Sequence, residues 1–265
     1  RDLLLMSGEI LFDKCEDLAE SQPITFLTEE SFLETIPWDL SKGGSLAMHF
    51  RTNEPNGLLV YALGSPYSGV YFAVEILDDL LYVTVATGPE ESRKVLASEG
   101  PVSDGQPHDL RVKINGSLVV VALDQRRTRA DLNGHSYDIH LNTPLIFGSL
   151  SPMTAEHAPI ELWTAMLGYG YVGCLQDVEV NGLKMALADI VREQEAEGVA
   201  EYCRTSPAEC PSFPCLYRGK CREGWNRYVC DCTATDYTGE SCSEGTSCKS
   251  QRLGNPSCII GLLSA

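Results

Sequence analysis

The sequence predicts an all-β protein, a β-sandwich followed by a small disulfide-rich module. Short apolar runs separated by turn residues fill the chain from Ile24 to Val180, at the spacing of a sandwich or barrel. Nine of the eleven cysteines then fall between Cys203 and Cys258. A chain of 265 residues is long enough for one sandwich domain and one small module.

The strand predictions rest on apolar runs that are bounded by Gly, Asn, Asp or Pro. The main runs are Ser45–Phe50, Gly57–Ala62, Val70–Ile76, Leu81–Ala86, Leu110–Ile114 and Leu118–Leu123. Asp78-Asp79 predicts a turn between two of them. Asn115-Gly116 predicts a type I′ hairpin turn, since both residues tolerate positive φ.

One helix is expected near the end of the sandwich. Its stripe consists of Leu187, Ile190, Val191 and Gln194, at helical spacing. Gly198 is the expected stop. Cys174 and Cys203 flank this segment and form a natural pair, a cross-link that would contribute about 3–4 kcal/mol.

The bulk composition excludes several classes of partner. The net charge is −17 and the pI is about 4.6, so nucleic acid and anionic membrane surfaces would be repelled. No run reaches the roughly 18 apolar residues that span a bilayer, and the opening residues lack a signal-peptide pattern. The cysteine density indicates an oxidising compartment. We therefore expect an extracellular piece of a longer secreted or membrane-anchored protein, without membrane contact of its own.

Six late cysteines carry a specific pattern. Cys210, Cys215, Cys221, Cys230, Cys232 and Cys242 are separated by four, five, eight, one and nine residues. Tyr228–Cys232 reads YVCDC and Tyr237–Cys242 reads YTGESC. Spacing alone leaves many pairings open. The two strings resemble the EGF-like family, and the resemblance implies the pairs Cys210–Cys221, Cys215–Cys230 and Cys232–Cys242.

The sequence supports a metal site in this module less well than it supports disulfides. A zinc site would use histidines or paired C-x₂-C knuckles, and the module has neither. EGF-like modules that bind calcium carry acidic residues just before the first cysteine, where Glu209 alone is acidic here. Because calcium needs about six to eight oxygen ligands, we expect a calcium-free module.

The longer region resembles the laminin-G or LNS family. The strings FRTNEPNGLL at Phe50–Leu59 and YVGCLQDV at Tyr171–Val178 look like its strand–turn–strand and its closing strand. Trp163–Cys174 reads WTAMLGYGYVGC and Gly224–Cys232 reads GWNRYVCDC. These two longer strings resemble the third LNS domain of α-neurexins and the EGF-like module that follows it. The resemblance implies a jelly-roll sandwich.

This resemblance runs from about Cys15 to Ser243 and sets the expected domains. Residues 1–14 would be the tail of a preceding LNS domain, 15–203 the laminin-G/LNS domain, 204–243 the EGF-like module and 244–265 an unassigned tail. Cys15 would pair with a cysteine upstream of Arg1. Cys248 and Cys258 match nothing in the family.

The resemblance also implies a function, that of a non-catalytic binding module in a presynaptic cell-adhesion receptor. Its ligands would be extracellular proteins of the synapse, recognised by loops on a rigid sandwich. Two alternatives stay open. The chain could be a structural spacer between binding domains, or a glycan-binding laminin-G module of a matrix protein.

Calcium is the one candidate ion, and we expect no required cofactor. Many LNS domains hold calcium at the sandwich rim through an aspartate, and the resemblance aligns that position with Val70, which has no side-chain oxygen. The remaining ligands would be Asn142 and the carbonyl of Thr87. Asp78 or Asp138 could substitute for the missing carboxylate.

Two surface features point to modification or to glycan partners. Asn115-Gly116-Ser117 is an N-glycosylation sequon at a predicted hairpin tip. Arg126, Arg127 and Arg129 form a dense basic segment that could bind a sulfated glycan or an acidic partner. Strand alternation would place Arg127 and Arg129 on one face and Arg126 on the other.

Catalysis finds no support in the sequence. The five histidines are scattered and no H-E-x-x-H or G-x-S-x-G motif occurs. Gly168, Gly170 and Gly173 match the dinucleotide fingerprint G-x-G-x-x-G, but that fingerprint lies between a strand and a helix. The surrounding sequence reads as β, so we expect no enzyme and no nucleotide cofactor.

Overall fold

The computed structural model describes residues 22–40, 42–89, 91–132, 139–204 and 210–245. The chain divides into two units, residues 1–204 and residues 205–265. The interpretations placed above on Cys15, Asp138, Glu209, Cys248 and Cys258 lie outside the described residues.

The first unit consists of short antiparallel strands and three helices. The strands are β1 (Ile24–Phe26), β2 (Leu33–Pro37), β3 (Gly44–Arg51), β4 (Gly57–Leu63), β5 (Val70–Leu77), β6 (Leu80–Gly88), β7 (Glu91–Leu96), β8 (His108–Asn115), β9 (Leu118–Leu123), β10 (Arg126–Asp131), β11 (Pro144–Phe147), β12 (Gly173–Val180), β13 (Leu183–Lys184) and β14 (Val199–Ala200). The helices are α1 (Pro152–Ala155), α2 (Trp163–Met166) and α3 (Leu187–Gln194).

These strands form two sheets. One has the order β10-β9-β8-β3-β12-β1-β14, with β13 paired to β12, and the other has the order β2-β11-β4-β5-β6-β7. One continuous apolar cluster joins side chains of both sheets, and its largest members include Trp38, Phe26, Phe50, Phe72 and Phe147. Strand pairs packed over a shared core are the arrangement of a β-sandwich, so the predicted fold class is confirmed.

The outer face of one sheet is exposed to solvent, and part of the outer face of the other is covered. Strand β8 alternates between buried and exposed side chains, so its outer face is open. Strands β4 and β5 are buried at nearly every position, because residues 151–170 cover their outer face. We call residues 151–170, which include α1 and α2, the cap.

Of the two hairpin turns predicted from the sequence, one is found at its predicted place and the other is shifted. Asp78 and Asp79 both have positive φ, 48° and 70°, which is the pattern of the type I′ turn. The turn at Asn115 differs from its prediction. Asn115 pairs with Leu118, and in the loop Gly116 has a φ of 60°, so the turn lies one residue later and has the type II′ pattern. The resulting register places Ile114 opposite Val119, and both are buried.

The predicted helix is confirmed as α3, with Leu187 and Val191 buried on its inner side. It ends earlier than predicted, because Glu195 adopts the left-handed conformation with a φ of 48°. A disulfide joins Cys174 on β12 to Cys203 beyond the helix. It lies beside Tyr171, whose hydroxyl donates to the carbonyls of Arg51 and Cys174 at 3.0 and 2.7 Å.

The second unit is small and rich in turns. Its elements are a 3₁₀ turn at Cys210–Ser212 and the hairpins β15 (Lys220–Glu223) with β16 (Tyr228–Asp231) and β17 (Tyr237–Thr238) with β18 (Glu244–Gly245). Three disulfides join Cys210 to Cys221, Cys215 to Cys230 and Cys232 to Cys242. These are the pairs that the EGF-like resemblance implies. The rings of Tyr217 and Tyr237 stack with their centroids 3.7 Å apart.

Candidate functional site

The residues aligned with a calcium site lie along one rim of the sandwich. Val70 begins β5 opposite Thr87 on β6. Asn142 lies on the adjacent segment, where its N–H donates to Leu63 O at 2.7 Å, and the Gly64 N–H donates to Val70 O at 2.8 Å. The fold therefore brings the aligned positions to the same end of the same sheet.

The side chains at Val70, Asn142 and Thr87 contribute no carboxylate to this rim. The Val70 side chain has no oxygen and is 9% exposed. The Asn142 amide oxygen lies 3.4 Å from the Ser65 hydroxyl, and the Thr87 hydroxyl lies 3.3 Å from a Glu91 carboxylate oxygen. Where the chain is described, no three His, Cys, Asp or Glu side chains group closely enough to hold a metal.

Asp78 does not replace the missing carboxylate. It lies in the β5–β6 turn, at the far end of β5 from Val70. Seven residues of extended strand correspond to roughly 23 Å, so that part of the calcium prediction is wrong. The Asp78 N–H instead donates to the side chain of Asn56 at 2.9 Å, which fixes the turn.

The arginine segment divides between two faces, as strand alternation predicts. Arg127 and Arg129 are exposed and Arg126 is half-buried. The Arg126 guanidinium donates to Ser98 O at 2.9 Å and lies 3.6 Å from the Glu99 carboxylate. Because Arg126 is engaged at the sandwich edge, the predicted three-arginine patch is corrected to two members.

Two further cations share the face of these arginines. Arg111 is opposite Ala122, which in turn is opposite Arg127. Lys113 is opposite Val120, which is in turn opposite Arg129. We call Arg111, Lys113, Arg127 and Arg129 the basic face. Sequence reasoning missed its first two members, because their place depends on the register of the β8–β9 hairpin.

Acidic side chains border the basic face on one side. Arg111 forms hydrogen bonds to Asp109, with Nη2 3.0 Å from Oδ2. This hydrogen bond, together with the charges of Asp109 and Glu179, raises the pKa of Arg111 above its usual value. Asp109 also lies 4.0 Å from His49, which contacts Asp177 at 3.1 Å. The outer face therefore changes from basic on β8–β10 to acidic toward β12.

Asn115 is exposed at the end of β8, on the same face as Arg111 and Lys113. Its sequon partner Ser117 lies in the turn. The side chain is therefore accessible to a glycosyltransferase, in keeping with the predicted modification site.

An apolar surface covers the cap. Five large hydrophobic residues are exposed there, namely Ile160 (73%), Trp163 (59%), Met166 (54%), Leu167 (56%) and Tyr169 (37%). Exposed clusters of large apolar side chains, especially aromatic ones, are typical of protein-binding surfaces. The sequence signal for this surface is the cluster of large apolar residues in Trp163–Tyr169.

Acidic residues surround this surface. Glu156 and Glu161 are exposed within the cap. A groove of about 430 Å³ beside it is lined by Ala165 and Tyr169 of the cap and also by Glu29 and Glu30.

The cap is held against the sheet by a buried carboxylate. Glu75 on β5 is 1% exposed and accepts hydrogen bonds from the Thr164 hydroxyl at 2.9 Å and from the Thr164 N–H at 3.3 Å. Its other oxygen lies 3.1 Å from Lys94 Nζ. The Leu58 N–H donates to Tyr169 O at 2.9 Å. These contacts fix both ends of α2 on the second sheet.

Two tyrosines under the cap are shielded from water. Burial raises the pKa of Tyr71 to about 12, and the charges of Glu161 and Glu75 add to the shift. Burial likewise raises the pKa of Tyr61, with a smaller contribution from Tyr71. Both phenols therefore stay neutral at physiological pH, as part of the packing that supports the cap.

The glycine motif has a structural role. Gly168 follows α2 with a φ of 71°, and Gly173 begins β12. At Gly170 an added Cβ would lie 1.8 Å from Glu29 O, so no side chain fits there. The motif runs from a helix into a strand, the reverse of the dinucleotide fingerprint.

Two histidines, His49 and His108, contact carboxylates. His108 lies 2.9 Å from Asp124 and 3.2 Å from Asp104, and its ring stacks on Phe50. Neither His108 nor His49 has a serine hydroxyl or cysteine thiol as hydrogen-bond partner within the described residues. These contacts are those of structural histidines rather than of a nucleophile–base pair.

Comparisons with known proteins assign both units. Residues 50–183 match the laminin G domain model and residues 210–241 match the EGF-like domain model. The chain is 34% identical over 255 residues to Neurexin-3a of Danio rerio and 36% identical over 251 residues to Neurexin-2 of Mus musculus. These alignments cover 91% and 89% of this chain, and the chain spans about 15% of each relative.

Solved structures agree on the fold. The LG1-3 region of the laminin α2 chain matches with a TM-score of 0.60 and 17% identity, over 71% of this chain and 36% of that one. Domains LG4-5 of the mouse laminin α1 chain match with a TM-score of 0.58 and 17% identity, over 76% of this chain and 48% of that one. Within the described residues, no helix has the length and apolar character needed to cross a membrane. The chain belongs to the laminin G domain family, and its laminin G and EGF-like domains form a segment homologous to neurexins.

Proposed function

We propose that this chain is a non-catalytic extracellular binding module of a neurexin-like adhesion receptor. The observation that carries the proposal is the apolar surface of the cap, where Trp163, Met166 and three further large side chains are exposed on a rigidly anchored segment. Trp and Tyr are the residues most often found at the centre of protein interfaces. The four disulfides among the described residues suit the oxidising conditions outside the cell.

The finer assignment is that the receptor acts at the presynaptic membrane and that the ligand is a synaptic adhesion protein. The cap would bind an apolar anchor on that ligand, flanked by basic side chains that meet Glu156 and Glu161. The alternative is a spacer, in which the chain only sets the distance between neighbouring domains.

Binding to the surface of cultured neurons tests this proposal. Beads coated with the chain should bind, and Trp163→Ser should reduce binding by roughly tenfold or more, as expected for an interface anchor. Leu183→Ser is the matched control, because Leu183 is 60% exposed but lies on β13, away from the cap. Absence of binding by the unmodified chain, or equal binding by both variants, would favour the spacer.

We further propose that the module works without calcium. The support is chemical, since Val70 lacks a side-chain oxygen and its carbonyl accepts the Gly64 N–H. The melting temperature should be the same in calcium and in EDTA. Val70→Asp should introduce a calcium-dependent rise, because the carboxylate supplies a hard ligand at the rim. A rise for the unmodified chain would refute the proposal.

We propose N-glycosylation at Asn115, on the strength of its exposure at the end of β8. Protein secreted from mammalian cells should lose mass on treatment with peptide N-glycosidase, while Asn115→Gln should show no change. An unmodified mass for the secreted protein would exclude this site.

A further inference from the structure

A groove in the first unit runs from the cap to the end of α3. Its cap half has a volume of about 430 Å³, and its α3 half has a volume of about 500 Å³. The halves adjoin, because Glu30 and Phe32 line both of them. Within the part of the chain that the structure describes, no basic residue lines the groove, whereas four carboxylates do, those of Glu29, Glu30, Glu195 and Glu197. We call it the acidic groove.

Hydrogen bonds fix the walls of the acidic groove. The Gly198 carbonyl accepts the Leu27 N–H at 2.8 Å and the Ser31 hydroxyl at 3.1 Å, which joins the loop before β2 to the segment after α3. The Gln194 side chain, at the end of α3, bonds to both backbone polar groups of Glu34 on β2. The groove is therefore preformed, so a ligand need not order it on binding.

The α3 half presents uncompensated negative charge. Glu30, Glu195 and Glu197 are exposed, and none of the three forms an ion pair within the described ranges. The C-terminal end of a helix carries a partial negative charge, and α3 ends at Gln194 beside them. Among the described residues, no three metal-ligating side chains group closely enough to hold a metal ion. The spacing of these carboxylates therefore suits several cations carried along one ligand.

The cap half adds an apolar surface. Phe32, Leu150 and Ala165 line it and are half-buried, so part of each side chain is open to a ligand. A small organic polycation would leave this surface unused. A polypeptide can instead place an apolar side chain in the cap half and basic side chains in the α3 half.

The acidic groove is separate from the rim that was aligned with a calcium site. Leu58, which lines the groove, is the second residue of β4. Leu63 is the last residue of the same strand, and its carbonyl accepts the Asn142 N–H at that rim. The two places therefore lie at opposite ends of β4.

We propose that the acidic groove binds a polypeptide segment in which an apolar side chain lies next to a run of Lys and Arg residues. The apolar side chain packs in the cap half, and the cations meet Glu30, Glu195 and Glu197. Opposite charges at such a site speed association and exclude acidic competitors. The inference rests on the proposed function in that the ligand is a protein, and it adds the charge of the segment that is recognised.

Binding of a fluorescein-labelled peptide, with a Leu-Leu pair beside a run of Lys and Arg, tests the proposal by fluorescence anisotropy. The full chain should bind it, and more weakly as salt increases. Glu195→Gln with Glu197→Gln should lower the affinity by roughly fivefold or more, since two ion pairs are lost. The matched control is Glu240→Gln with Glu244→Gln, two exposed positions of the second unit. Both double variants change the net charge equally, so the control should keep its affinity.

Three outcomes would overturn the proposal. They are absence of peptide binding by the unmodified chain, an equal loss for the control, and equally tight binding of a peptide with Ser-Ser in place of Leu-Leu. Trp163→Ser separates this proposal from the proposed function, because Trp163 does not line the groove. That variant should keep peptide binding while it loses binding to neurons. Peptide binding by an unmodified chain that does not bind neurons would count against the proposed function alone.

Discussion

The two units of this chain are each stabilised internally by a different kind of interaction. The sandwich buries a continuous cluster that includes Trp38, Phe72 and Phe147. In the described part of the second unit, the buried hydrophobic residues are Trp225 and Cys242. Three disulfides join this described part instead, each closing a loop of 10 to 15 residues.

This difference follows from chain length. A unit of several dozen residues exposes too much of its surface to offset the entropy of ordering the chain by burial alone. Cross-links reduce the entropy of its unfolded state. The sandwich is long enough to rely on apolar burial, so we expect it to stay folded without the disulfide between Cys174 and Cys203.

Reduction of the disulfides should therefore produce the largest difference in stability between the two units. Each disulfide of the second unit contributes about 2–4 kcal/mol, so loss of all three should unfold it while the sandwich stays folded. Limited trypsin digestion followed by mass spectrometry would show cleavage at Lys220 and Arg222 before cleavage in the sandwich. Simultaneous digestion of both units would contradict the comparison.

A large deletion in the core should have the next largest effect. Phe72 is fully buried, and its ring centroid lies 4.8 Å from that of Trp38. Phe72→Ala should lower the free energy of unfolding by about 3–5 kcal/mol. Phe213→Ala in the second unit is the control, because Phe213 is 86% exposed. Urea unfolding, followed by tryptophan fluorescence, should show little change for the control.

Alkaline pH should destabilise the sandwich through its buried phenols. The pKa of Tyr71 rises from 10 to about 12 in the folded state. Below pH 10 both states hold the proton, so stability does not depend on this group. Between pH 10 and 12 the unfolded state ionises first, and stability should fall by roughly 2–3 kcal/mol. Tyr71→Phe should flatten this decline, whereas the exposed Tyr67→Phe should not.

Loss of the contact between Lys94 and Glu75 should change stability less than reduction, Phe72→Ala or alkaline pH. Lys94→Met leaves a buried carboxylate without its cation, which should cost about 1–2 kcal/mol. Adding Glu75→Met removes that carboxylate, so the double variant should recover part of the loss. Thermal unfolding of the single and double variants measures the coupling. Strictly additive losses would show that the ion pair does not support the cap.

Much of the fold was predictable because it depends on local patterns. The apolar run Leu110–Ile114 predicted β8, and the helical spacing of Leu187, Ile190 and Val191 predicted α3. The cap was not predictable in this way. Its helices have four residues each, too few for a periodic signal, and Trp163 is exposed while Thr164 is buried. Only the tertiary packing on β4 and β5 decides which of them faces water.

The basic face could be predicted only in part from the sequence. Arg127 and Arg129 were predicted to share a face, because alternation within one strand is local. The positions of Arg111 and Lys113 relative to these arginines depend on how β8 pairs with β9, which is not a local property. A turn centred on Asn115-Gly116 would have shifted the β9 partner of each β8 residue by two positions, setting Arg111 opposite Val120 instead of Ala122. The pairing of Ile114 with Val119 in the core determines the observed register.

The two sheet edges at β7 and β10 bear on how the protein behaves at high concentration. An open edge strand can pair with another chain and start aggregation. Strand β10 reads RRTRAD and β7 reads ESRKVL, and half of the residues in each strand are both exposed and charged. Their charges discourage such pairing. A variant that neutralises Arg127 and Arg129 should therefore show more self-association by light scattering than the unmodified chain.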